Sequence, residues 1–245
     1  WVELFKRLNT VPEGTIRLVR LREKLRSLKQ DNPELEFFDR SLLKLFKHWF
    51  NPSFLVLESI DWTTPANILE KIIAYEAVHE INSWGDLRAR LVPEDRRCFA
   101  FFHPLMPNEP LIFVEVALTS DVPKSINEVI KIDRSITPDE DINTAVFYSI
   151  SNCQEGLSGI SFGNFLIKNV AHKLKRENEG LNRFVTLSPA PSFSVWLKEK
   201  SISGNMEDDL LLKQALIYLT DSSREDGLPN DPVAKFHLGN GAILE

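Results

Sequence analysis

The first part of the chain carries apolar residues in stripes of helical period. Ile16, Val19, Leu25 and Leu28 line one side of a segment rich in Arg17, Arg20, Arg22, Lys24, Arg26 and Lys29. That pattern predicts an amphipathic helix whose basic residues form a solvated face. Leu35, Phe38, Leu42, Leu45, Phe46 and Trp49 predict a second helix, broken after Phe50 by Asn51-Pro52. A third is expected with Thr64 as its cap and Pro65 at its first position, burying Ile68, Leu69, Ile72 and Ile73. Residues 1–75 therefore read as helical.

Beyond Ala74 the period shortens. Glu76 to Ile81 reads as a strand, and Ser83-Trp-Gly-Asp86 as a capping box opening a short helix to Leu91. Arg97–His103 and Leu111–Leu118 read as strands joined by the turn-rich Pro104–Pro110, which predicts an antiparallel pair. In the second of these, Ile112, Val114, Val116 and Leu118 share one face and Glu115 takes the other. Thr144–Ser151 is apolar enough to be a central strand, and a helix follows over Phe165–Glu177 with Phe165, Leu166, Val170 and Leu174 on one side. Phe184–Ser188 reads as a short strand, stopped by Pro189 and Pro191, before a helix that Ser192 can cap and that carries Phe193, Trp196 and Leu197. Near the end, Asp231 is expected to cap a short helix with Pro232 at its first position. Gly239 or Gly241 would end that helix, and a last strand would begin at Ala242.

Composition narrows the class. The 245 residues are 43% hydrophobic with 16 Phe and 5 Trp, enough for one large domain or two modest ones. A net charge of −6 argues against nucleic acid or an anionic membrane as the main partner. No apolar run approaches the roughly 20 residues of a bilayer span, so none is expected. Cys98 and Cys153 fit neither a zinc knuckle nor a disulfide framework and read as reduced core thiols, which points to an intracellular compartment. The chain opens on Trp1 and is expected to be incomplete at that end. His48, His79, His103 and His172 show no ligand spacing, so no metal site is expected; of the four, His103 is the one expected nearest a functional site.

The candidate chemistry starts where the central strand meets Gly156, Gly159 and Gly163 and then a helix. A strand, a glycine loop and a helix N-terminus together gather amides that can hold a phosphate. An ordinary glycine-rich turn has the same composition. Neither a Gly-Lys-Ser/Thr sequence nor a dinucleotide fingerprint is present. Ser188 closes a strand on a proline-fixed turn without a Gly-x-Ser-x-Gly elbow, so alone it reads as a turn residue. His237 stands between Asn-Asp-Pro and Gly-Asn-Gly, and on its own reads as either structural or catalytic.

Five stretches, in this order, resemble the malonyl-CoA decarboxylase family: RRCFAFFHPLMPNEPLIFVEVAL from Arg96, INTAVFYSIS from Ile142, GLSGISFGNFLIK from Gly156, TLSPAPSF from Thr186 and NDPVAKFHLGNGA from Asn230. The resemblance implies an α+β chain. A helical oligomerisation domain would cover residues 1–75, incomplete at its N-terminus. A mixed-sheet domain of the N-acetyltransferase superfamily would cover residues 76–245, truncated at its C-terminus. It implies conversion of malonyl-CoA to acetyl-CoA and CO2 with no cofactor, coenzyme A entering as part of the substrate. Ser158, Gly159, Ile160, Ser161, Phe162, Gly163 and Asn164 fall on the family's malonyl-CoA-binding segment, and Ser188 and His237 on its catalytic serine and histidine. A homo-oligomer is implied too, in the cytoplasm of a bacterium or in the mitochondrion or peroxisome of a eukaryote.

The chain also departs from the family pattern. Relatives continue past Glu245 with an active-site tyrosine, the stretch from Trp196 to Asp221 is shorter here, and Ser161 stands where some relatives carry glutamate. Two other readings fit the same fold: an acyl-CoA-dependent N-acyltransferase and a non-enzymatic interaction protein.

Overall fold

The computed structural model describes residues 1–202, 207–220, 227 and 229–244. They group into two compact units, Trp1–Leu187 and Ser188–Glu245. The first unit opens with helices α1 (Val2–Asn9), α2 (Gly14–Leu28) and α3 (Glu36–Trp49). Strand β1 (Val56–Ile60) and helices α4 (Ala66–Tyr75) and α5 (Trp84–Leu91) follow. Then come β2 (Arg96–Phe102), β3 (Ile112–Thr119), α6 (Ile126–Ile130), β4 (Thr144–Asn152), α7 (Gly163–Glu177) and β5 (Arg183–Thr186). The strands lie side by side in chain order, antiparallel except for the parallel β4–β5 pair. This is the α+β mixed sheet that the family resemblance implies.

Alternation along the strands divides the core in two. Ile112, Val114, Val116 and Leu118 pack with Phe5, Val19, Leu42, Phe46, Leu166 and Val170, which brings α1, α2, α3 and α7 onto one face. Cys98, Ala100 and Phe113 look the other way, to Ile68, Ile72 and Leu87 of α4 and α5. Each large side chain buried this fully contributes about 1.5–3 kcal/mol. On that second face Glu115 is fully buried, with one carboxylate oxygen 2.9 Å from Arg90 Nη1. Burial pushes its carboxyl up to about 7, against the opposing pull of Arg90.

The β3–β4 register carries an irregularity. Glu115 opposes Ser149 but Val116 opposes Phe147, so Tyr148 is an extra residue in β4. Phe147 and Ile150 therefore both pack against the α2–α7 side, while Ser149 and Ser151 point to the other layer and bond Glu76. β5 pairs with β4 only over Thr144–Phe147. Among the described residues no strand pairs with the outer edge of β4 beyond that.

Several local expectations change. β1 lies inside the stretch read as helical, its five residues bonded to β2 from Val56 to Ile60. Glu76–Ile81 is not a strand. The chain turns there because Glu76 Oε1 accepts from the amides of Val78 and His79, each at 2.8 Å, and from Ser149 Oγ at 2.7 Å. Helix α4 starts after Pro65, and Thr64 Oγ1 instead accepts from the Asp61 amide at 3.0 Å. The Ser83 cap is present, accepting from the Asp86 amide at 3.1 Å, while Asp86 Oδ2 accepts from the Asn82 amide.

The second unit holds α8 (Phe193–Glu199), α9 (Asp208–Thr220) and α10 (Pro232–Gly239). Phe193, Trp196 and Tyr218 cluster with ring centroids 5.3–6.1 Å apart. Ser192 stands at the N-cap of α8 without a side-chain cap bond. Residues 242–244 form no strand, so the one expected from Ala242 is absent among the described residues. No described helix is long and apolar enough to cross a membrane.

Candidate active site

The glycine loop lies between β4 and α7. A single 3-10 turn at Glu155–Leu157 leaves β4, and Phe162 stands as the N-cap of α7. A phenylalanine cannot cap, and no acidic side chain lies in the first turn of the helix. Its first amides, from Gly163 onward, thus meet no carboxylate from the helix's own first turn at the positive end of the helix dipole. Gly159 is exposed and takes a left-handed φ of +90°. Ser161 is exposed, Ser158, Ile160 and Asn164 are half-buried, and Gly163 is buried. Phe162 is 2% exposed in the core cluster, so it ties the loop down.

The loop is anchored from beneath. Arg22 of α2, 1% exposed, donates from Nη1 to the carbonyls of Gly156 (2.7 Å) and Ser158 (2.8 Å). Its Nε donates to Asp39 Oδ1 at 2.8 Å. Burial pulls the guanidinium pKa down, and Asp39 opposes that pull. Gly156 is the glycine that close packing demands, since a Cβ there would sit 2.0 Å from the Val19 carbonyl oxygen. The sequence reading placed Arg22 on a solvated face; it is instead the buried link between α2 and the loop.

In the second unit, Ser188 Oγ and His237 Nε2 lie 3.0 Å apart. Local chemistry positions the histidine. Asp231, fully buried, accepts from the amides of Val233 and Ala234 at 2.9 Å each, and Pro232 follows at the first helical position, as expected. Behind that cap, Tyr218 donates to Asp231 Oδ2 at 2.7 Å, and its phenol is pushed up to about 12, by burial first and by Asp231 second. The far end of α10 closes as a Schellman motif. Ala242 N donates to the His237 carbonyl, Gly241 N to that of Leu238, and Gly241 takes φ +92°. The imidazole is half-buried with the Phe236 ring edge-on at 5.0 Å, and burial lowers its pKa. Ser188 is exposed.

The remaining four histidines belong to the first unit. His103, expected nearest the site, is 7% exposed and structural: Nδ1 accepts from the Leu105 amide and Nε2 bonds the Trp49 carbonyl at 3.1 Å. His48 and His172 are exposed, and His79 Nε2 is buried without a partner among the described residues. No group of three or more His, Cys, Asp or Glu is close enough to hold a metal ion among the described residues. Sequence reasoning missed Arg22, Tyr218 and the unpaired edge of β4. A basic residue on the apolar stripe of α2, three positions after Val19, was the one signal for Arg22.

The family model for the malonyl-CoA decarboxylase N-terminal domain matches residues 1–50, and that for the C-terminal domain matches residues 53–209 and 199–245. Mouse mitochondrial malonyl-CoA decarboxylase is 33% identical over 293 aligned positions, which take in 98% of this chain and 59% of the mouse protein. The crystal structure of malonyl-CoA decarboxylase from Rhodopseudomonas palustris aligns with a TM-score of 0.89 at 48% identity, covering 99% of this chain and 66% of that one. The loading GNATL domain of CurA from Lyngbya majuscula, 15% identical over 78% of this chain and 86% of that one, aligns with a TM-score of 0.53, a likeness of fold alone. The chain thus spans about three-fifths of the mouse relative's length. The 293 positions aligned with the mouse protein exceed the chain's 245 residues, so that relative carries sequence missing here. The two C-terminal matches overlap at residues 199–209, inside the stretch read as shortened.

Proposed function

The chain belongs to the malonyl-CoA decarboxylase family, and from that premise we propose that it converts malonyl-CoA to acetyl-CoA and CO2. The observation that carries the reading is the 3.0 Å approach of Ser188 Oγ to His237 Nε2. It unites an acid–base group with a hydroxyl from 49 positions away, on the two residues that match the family's catalytic pair.

The chemistry asks little beyond such a pair. As the bond between the α-carbon and the carboxylate breaks, CO2 leaves and the electron pair stays on the α-carbon, delocalised onto the thioester oxygen as an enolate. Protonated His237 gives its proton to that carbon and is reprotonated from water, so each turnover consumes one proton and changes no oxidation state overall. Ser188 hydrogen-bonds the departing carboxylate or holds the imidazole in line. The thioester is itself the electron sink, so this reading requires no cofactor, and coenzyme A enters as part of the substrate. Ser158–Asn164 takes the pyrophosphate on the loop and the N-terminus of α7. The unpaired edge of β4 offers main-chain groups to an extended, amide-bearing arm.

Incubation with malonyl-CoA and no amine tests the proposal: equal amounts of CO2 and acetyl-CoA are expected. Acyl transfer that appears only on adding an amine would favour the N-acyltransferase reading, and absence of both turnover and coenzyme A binding would favour an interaction protein. We further propose that the helices of residues 1–75 mediate self-association while residues 76–245 carry the acyl-CoA chemistry. Trp1, Leu4 and Phe37, 62%, 43% and 62% exposed, support this as apolar surface on α1 and α3. Sedimentation at the monomer mass of 28.1 kDa would overturn it. An intracellular location completes the reading, mitochondrial for a eukaryotic source as the mouse relative's name states for that protein.

A further inference from the structure

We propose that Arg22 is a positioning residue for coenzyme A binding, through which helix α2 sets the shape of the glycine loop. The inference rests on the reading of that loop as the coenzyme A site.

Three observations carry it. First, Arg22 is 1% exposed, and one nitrogen, Nη1, reaches two loop carbonyls at 2.7 and 2.8 Å, those of Gly156 and Ser158. A trans peptide points its carbonyl and the next residue's N–H in opposite directions. Drawing the Ser158 carbonyl towards α2 therefore aims the Gly159 N–H away from the helix. Gly159 is exposed, and its N–H has no partner among the described residues. Second, the loop is in backbone contact with α2 at Gly156, where a Cβ would meet the Val19 carbonyl at 2.0 Å, so the loop and the helix cannot shift independently. Third, the guanidinium is itself fixed. Asp39 of α3 takes Nε at 2.8 Å, and Lys29 holds the second Asp39 oxygen at 3.2 Å. A planar fork suits three acceptors in set directions, and an ammonium does not.

The chain of contacts runs Lys29, Asp39, Arg22, loop carbonyls, loop amide. The N-terminal helices are thus part of the binding apparatus as well as a candidate assembly module. Arg22 acts on coenzyme A only through the backbone of Gly156 and Ser158.

The test is coenzyme A titration by calorimetry, with malonyl-CoA kinetics, on the wild-type chain, Arg22→Lys, Arg22→Met and the double variant Arg22→Met/Asp39→Leu. Arg22→Lys keeps the charge and is expected to weaken coenzyme A binding and raise KM about tenfold, as for loss of a charge-assisted hydrogen bond. Its kcat should stay within about twofold, because the proton-transfer pair is untouched. In the double variant neither buried charge is left unpaired, so it should melt above Arg22→Met alone but below wild type, because the Gly156 and Ser158 carbonyls lose their donor, while affinity stays low. Wild-type affinity in Arg22→Lys, or affinity recovering together with stability in the double variant, would reduce Arg22 to a structural residue. No coenzyme A binding by the wild-type chain would overturn the loop reading itself, and this inference with it.

Discussion

The glycine loop and the Ser188–His237 pair are held in opposite ways. The loop is anchored over a distance in sequence: Arg22 reaches carbonyls 134 and 136 positions away, inside a core it shares with α2, α3 and α7. The pair is presented by local devices: Pro189 beside the serine, an aspartate cap and a glycine stop on the eight-residue helix that carries the histidine. One region gains rigidity by burial of charge and backbone contact. The other keeps a serine exposed and an imidazole half-buried, as acid–base exchange with water requires. In the proposed reaction, substrate anchoring would then depend on long-range packing and proton transfer on short-range helix chemistry.

That contrast breaks most visibly at His237. His237→Asn is expected to lower kcat by about two to four orders of magnitude, the range for a lost general acid, with coenzyme A affinity unchanged; CO2 release from malonyl-CoA measures the first and calorimetry the second. Turnover at the wild-type rate would remove the histidine from the mechanism. On the anchored side, Gly156→Ala forces a Cβ to within 2.0 Å of the Val19 carbonyl. A loss of about 3 kcal/mol is expected, at the upper end for overpacking, read as a lower urea midpoint. Unchanged stability would mean that the loop and α2 separate easily.

Asp231→Ala probes the local devices with a smaller effect. It removes a double cap and leaves the buried Tyr218 hydroxyl without its acceptor, which together cost about 2 kcal/mol. Asp231→Asn keeps a carbonyl acceptor and should lose less than half of that. If the two variants melt alike, the cap is not what holds α10.

The smallest effect is in pH. Burial lowers the His237 pKa, so the folded state binds this proton less readily than the unfolded chain, whose imidazole titrates near 6.5. The stability contributed by the neutral imidazole is present above about pH 6.5 and is lost as pH falls through that value towards the folded pKa. His237→Asn should flatten this part of the stability profile. The proton-donor role adds that kcat/KM declines as pH rises through a value below about 6.5. A limb unaffected by His237→Asn would assign that titration elsewhere.

Sequence alone determined the parts with local causes. Stripes of helical period predicted α2, α3 and α7, alternation predicted β2, β3 and β4, and Ser83, Asp231 and Pro232 marked helix starts that the structure contains. The loop was legible for the same reason, since glycines and helix starts act within a few positions of themselves, whereas local sequence left Ser188 and His237 open between structural and catalytic roles and only the family resemblance paired them. What only the tertiary structure decided needed partners distant in sequence. β1 is a strand because β2 is there to bond it, and Glu76 bends the chain because Ser149 and Ser151 arrive on the far side of the Tyr148 bulge. Arg22 shows the limit most clearly. Its charge argued for water, because a lone guanidinium cannot be buried without a large desolvation cost. Only the folded chain delivers Asp39 and two loop carbonyls to offset that cost, and no spacing in the sequence records that they will meet.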